Sequence, residues 1–487
     1  MTTTPHTAAT SDVEPVKFSR LARRGVLLGL SLAQLTVVGI GALTLMASLY
    51  LGGHALAYTA PVLAVLAALV WVRIAGNPVI AWVPIAARFA QRAATGQNVF
   101  HRRLTKPRPY GTLALPGDAA RLRLWTDAVT GGAMIHDPHA GTLTAIVNLT
   151  HPAFILLDPA EQQRRVAGWG RVLATACRSG RVGALQVCER TVPDSGKGLA
   201  HWWAAHGSRA DTWVTRTYGE LIDRAGPAGE RHASTLSVSI DLRACARPIR
   251  AAGGAMRGAA AVLRQEMESL ASALRAADLA PSDLLTPADL ALILRSAYDP
   301  VVAAALDRRG TTGRDLATAG PVSAAEEWQH TRSDSAYHCV LWISEWPRSV
   351  VYPSFLAPLI GTSGVRRTFT MLFTPVRADV AARDIRKKKT EYLADAAQRA
   401  KIGQIEDASQ SAEYADVLQQ ETDLTAGHGI LRATGLITVS APDPTELERA
   451  VAAIEQAAVQ ASCETRRLWG QQAQAFTAAA LPLCRPT

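Results

Sequence analysis

Between Gly25 and Val72 the chain carries no Asp, Glu, Lys or Arg. The run Val26 to Leu51 alone exceeds the roughly 20 apolar residues that cross a bilayer, and a second apolar stretch, Ala55 to Val72, follows it. Gly52, Gly53 and His54 between them make a small-residue turn that folds the chain back on itself. A secretory signal would offer about 7 to 15 apolar residues and a cleavage site; a longer, doubled run predicts a transmembrane hairpin instead. Tyr50 and Tyr58 flank the turn, while Trp71 and Trp82 mark the other end, where amphipathic rings settle at the water interfaces. Gly25 and Gly29 form a G-x-x-x-G pair, a spacing so common in such helices that it carries little weight.

Beyond the hairpin the pattern alternates between periods of 2 and 3.6. In the first half it predicts strands over Leu143 to Leu149, Gly183 to Thr191 and Ser234 to Leu242, with helices over Pro159 to Ser179, His201 to Arg224 and Ala255 to Asp278. The second half repeats the order. Strands are expected over His338 to Trp346, Thr368 to Thr374 and Ile430 to Ser440, and helices over Ser354 to Ile360, Asp379 to Thr425 and Thr445 to Cys463. An internal duplication would leave this order, and so would two unrelated α+β domains. Between the halves, Pro281, Ser282, Thr286, Pro287 and Asp289 supply a loop and an N-cap for a helix through Ala297. Gly310, Thr311, Thr312 and Gly313 open a linker that runs to Pro321. Thr445, with Glu448 three residues on, reads as the cap of the last helix.

The fold class is therefore α+β, a two-helix transmembrane hairpin followed by two cytoplasmic α+β subdomains with the order of a duplication. The expected organisation is a tail over 1–24, the hairpin over 25–76, a basic juxtamembrane segment over 77–110, a first domain over 111–300, a linker over 301–330 and a second domain over 331–487.

Charge sets the orientation. The net charge is +10, of which residues 1–24 supply +2 and residues 73–108 supply +7, leaving about +1 for the rest. Lys17, Arg20, Arg23 and Arg24 precede the hairpin; Arg73, Arg88, Arg92, Arg102, Arg103, Lys106 and Arg108 follow it; the turn has none. Positive charge stays inside, so both termini are expected in the cytoplasm, at the inner membrane, with Arg73, Arg88 and Arg92 beside lipid head groups. Ile80, Trp82, Val83, Ile85, Ala86 and Phe89, interleaved with Arg88 and Arg92, read as a short interfacial helix that Pro84 would interrupt. Six cysteines, Cys177, Cys188, Cys245, Cys339, Cys463 and Cys484, show no paired spacing, as expected of reduced thiols. With the surplus charge beside the membrane, a nucleic-acid role for the large domain is disfavoured.

No local motif predicts catalysis, a cofactor or a metal. The only Gly-Lys pair, Gly196-Lys197, is preceded five residues earlier by Thr191, so the phosphate loop G-x-x-x-x-G-K-[ST] is missing. Neither G-x-S-x-G nor H-E-x-x-H occurs. His136 and His139, in His-Asp-Pro-His, read as a turn in preference to a metal site. Arg386, Lys387, Lys388 and Lys389 read as a solvated helix face. Trp202, Trp203 and Trp213, on one expected helix, read as facing a core or domain interface.

The order Tyr337-His338-Cys339-Val340-Leu341-Trp342-Ile343-Ser344-Glu345-Trp346-Pro347, a strand ending at Pro375, a long charged helix, Gly435-Leu436-Ile437-Thr438-Val439, Gln474-Ala475-Phe476 and Leu481-Pro482-Leu483 resembles the N-terminal domain of the conjugation ATPases of type IV secretion systems. The front hairpin is similar to the small PrgI-type membrane protein that accompanies such an ATPase. Gly111-Thr112-Leu113-Ala114-Leu115-Pro116-Gly117 and Ser296-Ala297-Tyr298-Asp299-Pro300 are similar to actinobacterial membrane proteins of conjugative elements. In the ATPases a motor domain follows the Leu-Pro segment, whereas this chain ends at Thr487. The resemblance implies a non-catalytic subunit of an oligomeric DNA-transfer complex that docks a separate motor ATPase and other channel subunits. Residues 330–487 would contact the motor, with Glu345, Trp346, Pro347, Leu481 and Pro482 as the docking motif. An EccE-like component of a type VII secretion system and a membrane-tethered single-stranded DNA binder are the alternatives.

Overall fold

The computed structural model describes residues 30–103, 105, 111–113, 115–151, 154–225, 229–309, 315–402, 408–426 and 428–485. Gly25, Gly29 and the basic residues of the N-terminal tail fall outside them, as do Lys106, Arg108 and the Gly310 to Gly313 segment.

The apolar run folds as α1 (Leu32–Leu51) and α2 (Gly53–Trp71), packed as an antiparallel hairpin. Both are long and apolar enough to cross a membrane, and only 17% and 6% of their apolar windows are buried, unlike the core helix of a globular domain. Ser31 and Gln34 close a capping box at the start of α1. Gln34 Nε2 also donates to the Val70 carbonyl at 3.0 Å. Near the turn, the Ser48 and Thr59 hydroxyls lie 2.7 Å apart. Polar groups at both ends of the hairpin thus satisfy one another, as an apolar solvent would require.

A two-residue hairpin, β1 (Arg73–Ile74) and β2 (Asn77–Pro78), turns through Ala75 and Gly76, both at positive φ as a primed turn demands. It leads into α3 (Val79–Ala94) and β3 (Val99–His101). Pro84 does not break α3; it lies in the second turn, where its ring forfeits one backbone bond.

The first half then contributes β4 (Arg123–Thr126), β5 (Ala133–Asp137), β6 (Thr142–Thr150), α4 (Pro159–Ser179), β7 (Val182–Pro193), α5 (Lys197–His206), α6 (Trp213–Ala225), β8 (Glu230–Asp241), α7 (Ala246–Ala251), α8 (Ala255–Arg275), β9 (Ala280–Leu284), α9 (Pro287–Tyr298) and α10 (Ala303–Arg308). The second contributes β10 (Ser323–Glu326), β11 (Thr331–Ser333), β12 (Ala336–Glu345), α11 (Ala357–Ile360), β13 (Arg366–Val376), α12 (Ala378–Ile402), α13 (Ala408–Thr425), β14 (Ile430–Ala441), α14 (Pro444–Gln460), β15 (Glu464–Arg467) and α15 (Gln472–Ala480). The helix expected over His201 to Arg224 is two helices, because the chain turns at Gly207, where a Cβ would meet the Trp203 carbonyl at 2.5 Å. Thr286 and Asp289 form the expected cap of α9, as a capping box. Asp443, not Thr445, caps α14, its carboxylate accepting from the Glu446 amide with Pro444 at the first helical position.

Apart from β1 and β2, the strands form one 13-stranded antiparallel sheet, ordered β3-β10-β11-β12-β14-β13-β7-β8-β6-β5-β4. Pairing of β7 with β13, from Arg190↔Thr368 to Leu185↔Phe373, joins the halves. Outward from this seam each half runs in the same order: β7-β8-β6-β5-β4 on one side, β13-β14-β12-β11-β10 on the other. The match extends further. The late strand β9 lies beside β6, and β15 lies beside β12, each continuing the edge that β5 or β11 begins.

The halves nevertheless share a core. On one face α4 and α8 cover Leu143, Ala145, Leu236 and Val238, while α11 and α14 cover Cys339, Leu341, Ile437 and Val439. The opposite face is common property: Ile135 and Ile146 from one half and Val340 and Leu436 from the other pack with Leu290, Leu294 and Tyr298 of α9, Phe476 of α15, and Leu481. The described residues of the segment expected as a linker over 301–330 include α10 and the strand β10.

Across the seam this shared face is polar. Gln186 Nε2 donates to the Ala478 and Leu481 carbonyls, Thr370 Oγ1 to the Ala479 carbonyl and Ser237 Oγ to the Pro482 carbonyl, while the Cys484 amide donates to Gln186 Oε1. Buried hydroxyls and one amide therefore satisfy a C-terminal segment that forms no strand of its own.

His338 of β12 is wholly buried between hydroxyls. Ser333 Oγ donates to the Tyr298 carbonyl (2.6 Å), so it accepts from His338 Nε2 (2.7 Å), leaving Nδ1 to accept from Ser440 Oγ (2.8 Å). Burial pushes this imidazole down to about 4. Between pH 6.5 and 5 the unfolded chain binds a proton there that the folded chain refuses, so stability falls as pH falls, by roughly 2 kcal/mol. Denaturation midpoints of the full chain in detergent at the two pH values check this; His338→Asn is expected to flatten the dependence.

Candidate functional site

Two surfaces carry the functional argument: the junction between the apolar hairpin and the sheet, and a helical excursion that leaves the sheet on its own.

The junction is built on Glu326, a buried carboxylate at the end of β10. It pairs with Arg92 of α3 at 3.1 Å and accepts from the Ala473 amide, while Arg92 also donates to the Gly470 carbonyl at 2.6 Å. Trp328 sits beside this pair. Phe89 meets its ring edge-on at 5.2 Å and Trp82 lies 6.3 Å away. Gly470, at positive φ, lets the chain pass so close that a Cβ would stand 2.5 Å from the Trp328 ring. A second tie runs from Arg466 of β15 to the Asn77 side chain at 3.0 Å, against Gly76 of the small turn. With β3 paired to β10, residues 77–101 are part of the sheet domain and clamp the hairpin to it.

Several expected roles change here. Tyr50, Tyr58, Trp71, Arg73 and Arg88 are exposed at the ends of the hairpin and on α3, free to meet an interface. Trp82 and Arg92 face the sheet domain instead, because a buried carboxylate and an indole plane compete for them more strongly than solvent does. No sequence pattern marks Glu326 or Trp328 as their partners.

The helical excursion is the pair α5 and α6 between β7 and β8. Trp203 packs on Tyr218 at 4.8 Å and holds the two helices together. Trp202 and Trp213, expected to face a core or domain interface, are 56% and 73% exposed, and Leu199, Val214 and Leu221 are exposed around them. Two indoles with aliphatic neighbours on a short helical pair thus form an exposed apolar patch. No protein-family model and no curated protein matches this chain.

At the corresponding connection of the second half, α12 and α13 form a longer pair held by Tyr392 stacked on Tyr414 at 4.1 Å. Arg386, Lys387 and Lys388 are exposed on α12, as a solvated face should be, and Lys389 reaches across to Glu421 of α13 at 2.7 Å, which raises its pKa.

The residues expected to dock a partner fall mostly inside. Leu481 is 0% exposed in the shared core, and Pro482 and Pro347 are buried. Trp346 packs against the second-half core, where it presses on Gly435. Glu345, paired with Arg348, and Trp346 are half-buried. These motif residues close the core, and a docking role for Leu481, Pro482 and Pro347 would require opening it.

Within His-Asp-Pro-His, His136 and Asp137 end β5, and the expected turn follows over Pro138, His139 and Ala140. Asp137 Oδ1 accepts from the amides of His139 and Ala140. Among the described residues no group of three or more His, Cys, Asp and Glu gathers as a metal site. All six cysteines are free thiols; burial pushes Cys188 up to about 11 and Cys339 up to about 12, far from reactive thiolates.

Proposed function

We propose that the protein is a non-catalytic inner-membrane subunit of a type IV secretion-like DNA-transfer apparatus, anchored by the α1–α2 hairpin with both termini in the cytoplasm, and that it docks a separate motor ATPase. The observation that carries this reading is the exposed indole surface of α5 and α6, mounted on a domain that is clamped to the apolar hairpin. A rigid clamp matters, because a docking surface held at a fixed height raises the local concentration of what it recruits. The reading moves the docking surface from residues 330–487 to the first half of the chain, since the motif residues of the second half lie in the core.

We also infer an internal duplication. Its support is the identical strand order on either side of the β7–β13 seam, including the late strands β9 and β15, and the placement of a helical pair at the same connection in each half. In this view α5–α6 and α12–α13 descend from one element, one turned to partner binding and the other kept solvated.

Trp202→Ser with Trp213→Ser is expected to leave stability within about 0.5 kcal/mol, because both side chains are exposed. Recovery of a nucleotide-hydrolysing motor from detergent extracts of the host cell, by way of the tagged chain, should fall by at least about tenfold. Equal recovery with wild type and variant would remove α5–α6 as the docking surface, and failure to recover a motor with wild type would count against the motor reading.

A further inference from the structure

Arg190, in the middle of β7, is 7% exposed, and its Nε has no hydrogen-bond partner among the described residues. It projects on the polar face of the seam into a small, open cleft of about 30 Å³ between β7, β13, β14 and the end of α9. Arg366 of β13 lines the same cleft, as does Thr438, 1% exposed, whose hydroxyl is also unpartnered among the described residues. Burial lowers the pKa of the Arg190 guanidinium. No Asp or Glu is among the described lining residues. The one acid on the adjoining turn of α10, Asp307, is engaged by Ser195 Oγ at 2.5 Å. Arg367 is turned away, donating to the Thr362 and Val365 carbonyls, and the Ser440 hydroxyl is committed to His338.

A buried guanidinium that no carboxylate bonds among the described residues is costly, the neighbouring Glu189 acting on Arg190 only at a distance, and native interiors leave few such groups unexplained. Two groups unpartnered among the described residues, each more than nine-tenths buried and lining one cleft, describe a receptor for a ligand. Its polarity is set by the charges: two arginines against no acid demand an anion. Its shape is set by the donors, since the Arg190 fork, Arg366 on the neighbouring strand and the Thr438 hydroxyl come from three strands. A tetrahedral oxyanion can accept from all three at once, whereas a carboxylate offers two oxygens in one plane.

We propose that this cleft at the seam of the two halves binds a phosphate-sized tetrahedral oxyanion, with Arg190 and Arg366 as its charge partners and Thr438 as a neutral donor. Such a ligand would neutralise the buried guanidinium and cross-link β7, β13 and β14, so it would stabilise the contact between the halves. The site is independent of the α5–α6 surface and stands whether or not that surface docks a motor.

The test uses the full chain in detergent, with inorganic phosphate titrated against sodium chloride of matched ionic strength, and thermal melting and calorimetry as readouts. Phosphate is expected to raise the melting temperature saturably. Arg190→Gln should weaken binding by at least about tenfold, and Thr438→Val and Arg366→Gln by a smaller factor each. In phosphate-free buffer Arg190→Gln should melt no lower than wild type, because it removes an uncompensated charge. Should Arg190→Gln fail to fold, Arg366→Gln, at the half-buried rim, carries the test. The proposal is overturned by a wild-type chain that shows no saturable response, by an unchanged response in Arg366→Gln and Arg190→Gln, or by a response to a single-stranded oligonucleotide with none to phosphate.

Discussion

Replacing Leu481 by Ala is expected to lower the stability of the folded chain by about 4 kcal/mol, the upper part of the range for a large-to-small change in a packed core. The side chain is fully buried where Ile135 and Ile146 of one half meet Val340 and Leu436 of the other, so the cavity would open at the one place both halves share. Its backbone cannot move to fill the space. The carbonyls of Ala478, Ala479, Leu481 and Pro482 are each held by a buried side-chain donor from β7, β8 or β13. Denaturant unfolding of the full chain in detergent checks the magnitude, and both halves should unfold together. A variant that keeps wild-type stability while losing the motor would restore Leu481 to the docking surface and remove it from the core. The contrast with Trp202→Ser and Trp213→Ser is therefore informative, because stability and partner recovery are expected to separate in opposite senses.

Arg92→Ala is expected to cost about 3 kcal/mol, and most of that comes from the partner left behind. Glu326 is 4% exposed in its side chain, and without Arg92 its carboxylate keeps the Ala473 amide as its one side-chain hydrogen-bond partner among the described residues. The loss should fall on one region. Trp82 and Phe89 are held against Trp328 by the same helix that carries Arg92, so freeing α3 releases the aromatic contact too. Unfolding should show the lowered stability, and Trp328 emission should move to longer wavelength as its neighbours leave. The double change Arg92→Ala with Glu326→Gln should recover part of the loss, since a neutral amide is far cheaper to bury than a lone carboxylate. Full additivity of the two single effects would show that the pair is not coupled.

How much of this was legible beforehand depends on how far apart the interacting residues lie. The long elements were readable: α4 spans Pro159–Ser179 as its periodicity requires, and β14 and α14 fall where their patterns place them, because a buried face leaves its period in the local sequence. Short strands were not. Ser323–Glu326, Thr331–Ser333, Ala280–Leu284 and Glu464–Arg467 are polar and three to five residues long, too brief for a period. Pairing with a longer neighbour makes them strands, and that neighbour is far away in sequence. Seam residues such as Gln186, Arg190 and Thr370 alternate with apolar ones and read as a solvent face, yet the C-terminal segment and α9 cover them.

The sequence by itself determined the apolar hairpin, the concentration of positive charge around it, the α+β class and the repeated order of elements. Each of these is a property of composition or of a local period, and needs no knowledge of what lies opposite. Only the tertiary structure decided that the halves close one sheet over a shared core, that the Leu-Pro segment is interior, that Trp82 and Arg92 clamp the hairpin to the sheet, and that Trp202 and Trp213 stand outside. Those facts depend on which surface meets which across hundreds of residues, and an indole or an arginine is written the same way whether it ends in a core, in a clamp or in water.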